Sequence, residues 1–255
     1  MVSPVRAEIK PPPAARGQNH DDYAAGLPKN VAMIAPLVLS FDLDDTLWPV
    51  GPVIAAAEST LLSWLRERHP EIAAGHDLES LRALRDGVSK RFPHNSHDLT
   101  FLRHRALQEL FGAASRAASL ADEALEVFFS ARNRVEFYDD ARPALDRLRA
   151  RYRLFAVSNG NADLQRCGIG DLFEGHVTAS AAGAAKPDAR IYAALLEMAG
   201  VEAAQVLHVG DDPLADVVGA TRAGMQAVWL NRDGREWPKA YAAPTRTVST
   251  LAEII

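Results

Sequence analysis

The sequence of 255 residues holds a single cysteine, Cys167. No intrachain disulfide can form, and a cysteine-based zinc site is excluded. A reducing compartment, the cytoplasm, suits that count. Positive charge is not in excess: 28 Lys and Arg stand against 33 Asp and Glu, a formal net charge of −5. A nucleic-acid partner needs a basic surface, so none is expected. No apolar run approaches the ~18 residues that cross a membrane, and no membrane association is expected. No apolar leader stretch opens the chain, so a secretory signal is not expected either. Lysine is scarce, with five residues (10, 29, 90, 186 and 239) against 23 arginines. What is present is ordinary for a globular chain: 48% hydrophobic and 24% charged residues. The length suits one core domain with a sizeable insertion.

The first 35 residues differ from the rest. Five of the 15 prolines fall there (Pro4, Pro11, Pro12, Pro13, Pro28), and no apolar periodicity runs through them. Such a stretch buries too little surface to offset its ordering entropy, so residues 1–35 are expected to form a disordered tail.

From Leu37 short apolar runs alternate with helical patterns. Leu37–Phe41, Leu154–Val157, Val206–Val209 and Gln226–Leu230 read as strands buried on both faces, with a weaker run at His176–Ala179. Asp139-Asp140 is expected to cap a helix carrying Pro143 in its first turn. Pro187 and Pro213 are expected to open two more, the last ending near Gly224. The alternation predicts an α/β fold, with a parallel sheet and right-handed crossovers. Residues 52–135 break the pattern. Apolar residues at helical spacing (Ile54, Leu61, Leu62, Leu65; Leu99, Leu102, Ala106, Leu110) predict helices and no strand. Eleven Lys/Arg balance eleven Asp/Glu over that stretch, so no charged patch stands out.

In an open parallel sheet, ligands bind beyond the carboxyl ends of the strands. After the first run comes Asp42-Leu43-Asp44-Asp45-Thr46. After the second comes Ser158-Asn159-Gly160. After the fourth comes Gly210-Asp211-Asp212, with Asp216 four residues on. Lys186 stands in the loop before the Pro187 helix. Asp42, Asp44 and Asp211 would crowd together, and like charges at close range call for a cation. A hard divalent ion with oxygen ligands, most simply Mg²⁺, answers that need. A carboxylate can attack phosphorus, and a second carboxyl two residues on can protonate the leaving oxygen and then deprotonate water. Lys186 supplies a point cation for a phosphoryl oxygen. Ser158 and Asn159 add a hydroxyl and an amide, and Gly160 lets backbone N–H approach a ligand. Asp45 reads as a turn acid.

Asp42-Leu43-Asp44-Asp45-Thr46-Leu47, Ser158-Asn159-Gly160, Lys186-Pro187 and Gly210-Asp211-Asp212-x-x-x-Asp216 resemble, in order, the four motifs of the haloacid-dehalogenase-like (HAD) superfamily. The resemblance covers about Leu37 to Leu230. It implies a Rossmannoid three-layer core (36–50 and 136–255) with an inserted all-helical cap (51–135). It implies Asp42 as nucleophile and Asp44 as general acid/base. Mg²⁺ would be held by Asp42, Asp211 and the Asp44 backbone carbonyl, with Asp212 and Asp216 behind them. Ser158, Asn159, Gly160 and Lys186 would bind the phosphoryl group of a small phosphorylated metabolite. Asp44 favours phosphoryl transfer, because haloacid dehalogenases lack that second acid and use no Mg²⁺.

A closer likeness points to the branch that dephosphorylates FMN and 5-amino-6-(5-phospho-D-ribitylamino)uracil. It rests on Ser158-Asn159-Gly160-Asn161-Ala162, Gly168-Ile169-Gly170-Asp171-Leu172-Phe173, Leu207-His208-Val209-Gly210-Asp211-Asp212 and His97-Asp98-Leu99-Thr100. The departures are Ala185, where that branch commonly has Ser, and the proline-rich tail, which lies outside the match. Three other readings stand beside a phosphatase: a metal-independent 2-haloacid dehalogenase, a sugar-phosphate mutase and a non-catalytic phosphate-ligand binding protein. His97, Asp98 and Arg103 are the insertion's candidates for substrate contact. His94, His97 and His104 have no tight ligand spacing for zinc. His208 reads as a core histidine with a satisfied partner, and Cys167 as incidental. Trp48 reads either as a lining of the hinge between cap and core or as simple packing.

Overall fold

The computed structural model describes residues 35–112 and 116–254. The expected tail therefore lies outside the described residues except for Ala35. Six parallel strands form one sheet in the order β3-β2-β1-β4-β5-β6. They are β1 (Val38–Phe41), β2 (Arg153–Ser158), β3 (Gly175–Thr178), β4 (Val206–Gly210), β5 (Gln226–Leu230) and β6 (Arg246–Val248). The register is even. Phe41 lies beside Ala156 of β2 and Val209 of β4, so β1, β2 and β4 end level at one edge. The order reverses between β1 and β4, which opens a crevice beyond their carboxyl ends.

Nine helices are described: α1 (Val50–Arg68), α2 (Pro70–Ala73), α3 (Leu78–Arg91), α4 (Leu99–Phe111), α5 (Ala117–Arg132), α6 (Ala141–Leu148), α7 (Ala179–Ala182), α8 (Ala189–Ala199) and α9 (Gly219–Arg222). The first five intervene between β1 and α6. α6 packs on one face of the sheet, where Leu145 and Leu148 meet Leu39, Phe41 and Leu154. α8 and α9 cover the other, where Ile191, Tyr192 and Leu195 meet Val38, Phe155 and Val157. The result is the expected three-layer α/β sandwich. β1 shows why its run is continuous: successive apolar side chains enter opposite cores.

The inserted helices have cores of their own. Leu61 and Leu65 of α1 pack with Leu107 and Phe111 of α4 and Ala121 and Ala124 of α5. Val88 of α3 packs with Leu102 and Ala106 of α4. Among the described residues, no helix is long and apolar enough to cross a membrane.

Two expectations need correction. Asp140 occupies the N-cap of α6 but makes no capping bond. Its carboxylate instead pairs with Arg232 at 3.0 Å and accepts the Leu251 N–H at 2.6 Å, tying α6 to the C-terminal segment. The third helix does not start as an ordinary α-helix. Pro213–Val218 forms a wide π-type turn before α9, and π-turns accompany functional sites.

Leu145 is fully buried at the centre of the face under α6. Leu145→Ala should lower unfolding free energy by about 2–5 kcal/mol, read from the midpoint shift in a urea titration at constant m-value.

Candidate active site

The loop after β1 turns back on itself within a few residues. The Leu43 carbonyl accepts both Thr46 and Leu47 N–H, and the Asp45 N–H donates to the Trp48 carbonyl at 2.7 Å. Asp45 takes φ +60°, a left-handed conformation that Asp tolerates better than most residues. Its side chain accepts the Val50 N–H at 2.9 Å, satisfying a first-turn donor of α1. The turn acid therefore starts the first inserted helix. Asp42 and Asp44 flank Leu43, which is fully buried.

Asp42 is buried against Lys186, whose Nζ lies 2.5 Å from Asp42 Oδ1 and 2.7 Å from Asp216 Oδ1. The Val157 carbonyl takes a third N–H at 2.9 Å. A single ammonium thus bonds two carboxylates and the end of β2. Asp216 also accepts from the Asp212 N–H at 2.9 Å and lies 3.2 Å from His208 Nε2. The other ring nitrogen of His208 lies 2.8 Å from Ser40 Oγ. A polar chain, Ser40–His208–Asp216–Lys186–Asp42, crosses the buried layer behind the site. His208 is the core histidine with satisfied partners that its place in an apolar strand implied.

The charges follow from these partners. Burial pushes Asp216 up, but Lys186 and His208 outweigh it and hold its carboxyl well below the usual range. Burial also pushes Lys186 down, and Asp216 and Asp42 more than reverse this, so the ammonium stays charged. Asp42 lies well above the usual range; burial raises it, Lys186 opposes, and Asp216 and Asp211 add repulsion. Asp211 is pushed up to about 7 by burial, then by Asp216 and Asp45. Arg235, 3.3 Å away, offsets this only in part.

Asp42, Asp211 and Asp216 each offer a carboxylate oxygen, all within 4.8 Å of one another. Asp216 already has three donors. Asp42 and Asp211 are the pair left short of positive charge, and a divalent cation would relieve both. The donor set is all carboxylate, which suits a hard ion. Two glycines permit the crowding. A methyl on Gly210 would lie 2.2 Å from Asp216 Cγ, and one on Gly160 would lie 2.5 Å from Asp44 Oδ2.

Ser158 Oγ accepts the Gly160 N–H at 2.9 Å, which fixes the turn after β2. Asn159, expected on the phosphate, uses both ends of its amide on the Lys186 backbone, accepting its N–H at 2.7 Å and donating to its carbonyl at 3.0 Å. It holds the lysine in place. Asp212, expected behind the metal, spends one carboxylate oxygen on the Leu214 and Ala215 N–H groups.

Of the insertion's candidates, Asp98 caps α4 by accepting the Phe101 N–H at 2.9 Å. His97 lines a cavity of about 280 Å³ with Thr100, Gly160, Asn161, Thr178 and Ser180. Arg103 stacks on Phe128, 3.5 Å from the ring centroid. Burial and the nearby charges of Arg85 and Arg132 push it down to about 10. His104 pairs with Asp122 at 2.8 Å instead of joining a metal cluster.

Two residues at Asp44 belong to none of the sequence motifs. Trp48, fully buried, donates its indole N–H to Asp44 Oδ1 at 2.8 Å. Arg132, the last residue of α5, donates through Nη2 to Asp44 Oδ1 at 2.7 Å and Oδ2 at 2.8 Å. A signal existed: Ala124, Phe128 and Arg132 share one face of α5, so a charge sits on an apolar stripe.

A family model described as haloacid dehalogenase-like hydrolase matches residues 37–224. The 5-amino-6-(5-phospho-D-ribitylamino)uracil phosphatase YigB of Escherichia coli (strain K12) is 33% identical over 223 residues, 85% of this chain and 93% of the relative. A phosphoserine phosphatase of Thermus thermophilus is 37% identical over 156 residues, 58% of this chain and 60% of the relative. Among solved structures, a 2-haloacid dehalogenase from Pseudomonas syringae pv. Tomato DC3000 superposes with a TM-score of 0.80 at 35% identity, covering 87% of this chain and 96% of that one.

Protons and a divalent cation should compete for Asp42 and Asp211. Both carboxyls are raised, so the folded chain holds extra protons at low pH and loses them as pH rises through about 7 at Asp211. Without a cation, stability should fall across that rise, because the folded state binds more protons than the unfolded. The gain in Tm on adding MgCl₂ should therefore be larger at pH 8 than at pH 6. Asp211→Asn should flatten the difference, as read by calorimetry at both pH values.

Proposed function

The chain belongs to the haloacid dehalogenase-like hydrolase family and is a phosphoric monoester hydrolase; from that premise we propose a Mg²⁺-dependent phosphatase of small phosphorylated metabolites, acting through an aspartyl-phosphate. The observation that carries this reading is the separation of two neighbouring carboxylates. Asp42 is bound to Lys186, and Asp44 is bound to Arg132 and Trp48. One acid faces the buried cation and the other faces the helical insertion, so they suit different tasks.

In the first half-reaction an Asp42 oxygen attacks phosphorus. The bond from phosphorus to the leaving oxygen breaks, and Asp44 gives that oxygen a proton. In the second, Asp44 takes a proton from water, which attacks the aspartyl-phosphate and frees phosphate and the Asp42 carboxylate. Lys186 offsets the repulsion between an anionic nucleophile and an anionic phosphate. Bound at Asp42 and Asp211 with the Asp44 backbone carbonyl, Mg²⁺ would supply charge stabilisation to the phosphoryl oxygens. Ser158 Oγ, held in the turn by the Gly160 N–H, suits a phosphoryl oxygen. The helical insertion acts as a cap that excludes water while the aspartyl-phosphate stands.

The leaving group extends into the cavity between α4 and the loop after β2. Its lining is rich in hydroxyl, amide and imidazole groups, and Asn161 Nδ2 donates to Thr100 Oγ1 at 3.3 Å across it. Such a lining suits a polyhydroxylated chain. The 33% identity to YigB adds support for 5-amino-6-(5-phospho-D-ribitylamino)uracil, and FMN carries the same ribityl phosphate. The likeness to a 2-haloacid dehalogenase structure favours a second reading, carboxylate displacement of halide without a metal.

A panel of phosphate esters containing both ribityl phosphates separates these readings. Phosphate release should require Mg²⁺, and Asp42→Asn should reduce it at least ~10⁴-fold while the melting curve stays cooperative. Halide release from 2-chloropropionate in EDTA, with no phosphate release from any ester, would overturn the phosphatase.

A further inference from the structure

Arg132 is 1% exposed. Only Nη2 is bonded, and to Asp44; Nε and Nη1 are buried without a partner. Buried donors of a charged group are seldom left empty, because each carries a desolvation cost. The head of this side chain stands at the reaction centre. A methyl built on Gly160 would lie 2.5 Å from Asp44 Oδ2, 3.2 Å from Ser158 Oγ and 3.4 Å from Arg132 Nη2. One point thus gathers the acid, the hydroxyl and the guanidinium.

The guanidinium is delivered from the insertion but anchored to the core. Arg132 ends α5, and the next residue, Asn133, accepts the Asp163 N–H at 2.7 Å. Asp163 follows the Ser158-Asn159-Gly160 turn. The arginine therefore stands on a short link, fixed at one end by the loop that borders the phosphoryl volume. A planar guanidinium presents N–H groups on two edges that share Nη2, so one side chain can hold a carboxylate and a phosphate oxygen together.

We propose that Arg132 contacts the substrate directly, keeping Nη2 on Asp44 while an N–H of Nε or Nη1, the donors on either side of Nη2, binds an oxygen of the scissile phosphate. The inference rests on the phosphatase reading and extends it by a third cationic element, beside Lys186 and the metal. It gives the insertion a part in catalysis besides covering the site. The oxygen lies on the side of Asp44, where the leaving oxygen departs and the attacking water later enters. Inorganic phosphate places an oxygen there too, and so serves as a probe free of any leaving group.

The test compares wild type, Arg132→Met and Arg132→Lys at saturating Mg²⁺. The inhibition constant of inorganic phosphate should rise at least tenfold in Arg132→Met. kcat/KM for the best ester should fall at least a hundredfold. Arg132→Lys keeps the charge but loses the fork, and should recover part of each. The same inorganic phosphate affinities measured by calorimetry on Asp44→Asn and on Asp44→Asn/Arg132→Met should still differ, since the contact is direct. Loss of kcat with an unchanged phosphate constant would overturn the proposal, because the arginine would then act only through Asp44. Equal affinities in the Asp44→Asn pair would overturn it as well. Should Arg132→Met fail to melt cooperatively, an unchanged phosphate constant in Arg132→Lys would overturn it equally. Wild-type protein that releases no phosphate and binds none would instead sink the phosphatase reading, before any variant is compared.

Discussion

One ammonium organises the centre of this molecule. Lys186 Nζ joins Asp42 of the loop after β1, the Val157 carbonyl near the end of β2 and Asp216 beyond β4. All these groups are buried, so each carries a large desolvation cost that only its partners offset. The carboxyl ends of three strands must therefore arrive level, and the register of β1 with β2 and β4 provides this. Asn159 clamps the lysine backbone from the third side. The π-type turn at Pro213–Val218 brings Asp216 over Gly210, where no side chain could stand. Removing the lysine would leave Asp42 without its cation and Asp216 with only the His208 and Asp212 contacts in the interior. The site and the fold are held by the same contacts.

That arrangement also sets the electrostatics of the acid cluster. Asp216 takes the lysine, the histidine and a backbone N–H, and so remains an anion. Asp42 and Asp211 are left with too little positive charge and rise. The protein thus holds a charge deficit at two oxygens near one another while satisfying the third acid. A divalent ion is bound best where ligands gain most from it, and in the proposed phosphatase those ligands would be Asp42 and Asp211.

The parallel sheet and the inserted helices were legible because both signals are local. Continuous apolar runs marked four strands, and the weaker His176 run proved to be β3. β6 was not legible: Arg246 and Thr247 are exposed, and only Val248 of its three residues is buried. A short edge strand has no face pattern to read. The acids were legible through their place at or just beyond strand ends, and Lys186 through its place in the loop before the Pro187 helix. Their partners were not, because those contacts span the chain. Arg132 meets Asp44 across 88 positions, and His208 meets Ser40 across 168. Balanced charge over residues 52–135 concealed the charge that reaches the site, Arg132, buried on an otherwise apolar face of α5. Counting charge by segment missed it; counting charge by helix face would have found it.

The likeness to a 2-haloacid dehalogenase structure makes the loop after β1 decisive. A carboxylate can attack carbon or phosphorus from the same sheet edge, and the scaffold serves either. The leaving groups differ. Halide departs as a stable anion, whereas the oxygen of an alkyl ester departs poorly without a proton. A second acid beside the nucleophile has a task only in the ester reaction. Here that acid is held by two neighbours, the Trp48 indole from its own loop and the Arg132 guanidinium from the far end of the insertion. Holding a carboxylate from two directions restricts its rotamer and aims it, which proton delivery needs and halide release does not. In the proposed phosphatase the insertion would therefore do more than cover the site. Its last residue reaches Asp44, so the inserted helices are joined to the acid that would protonate the leaving oxygen.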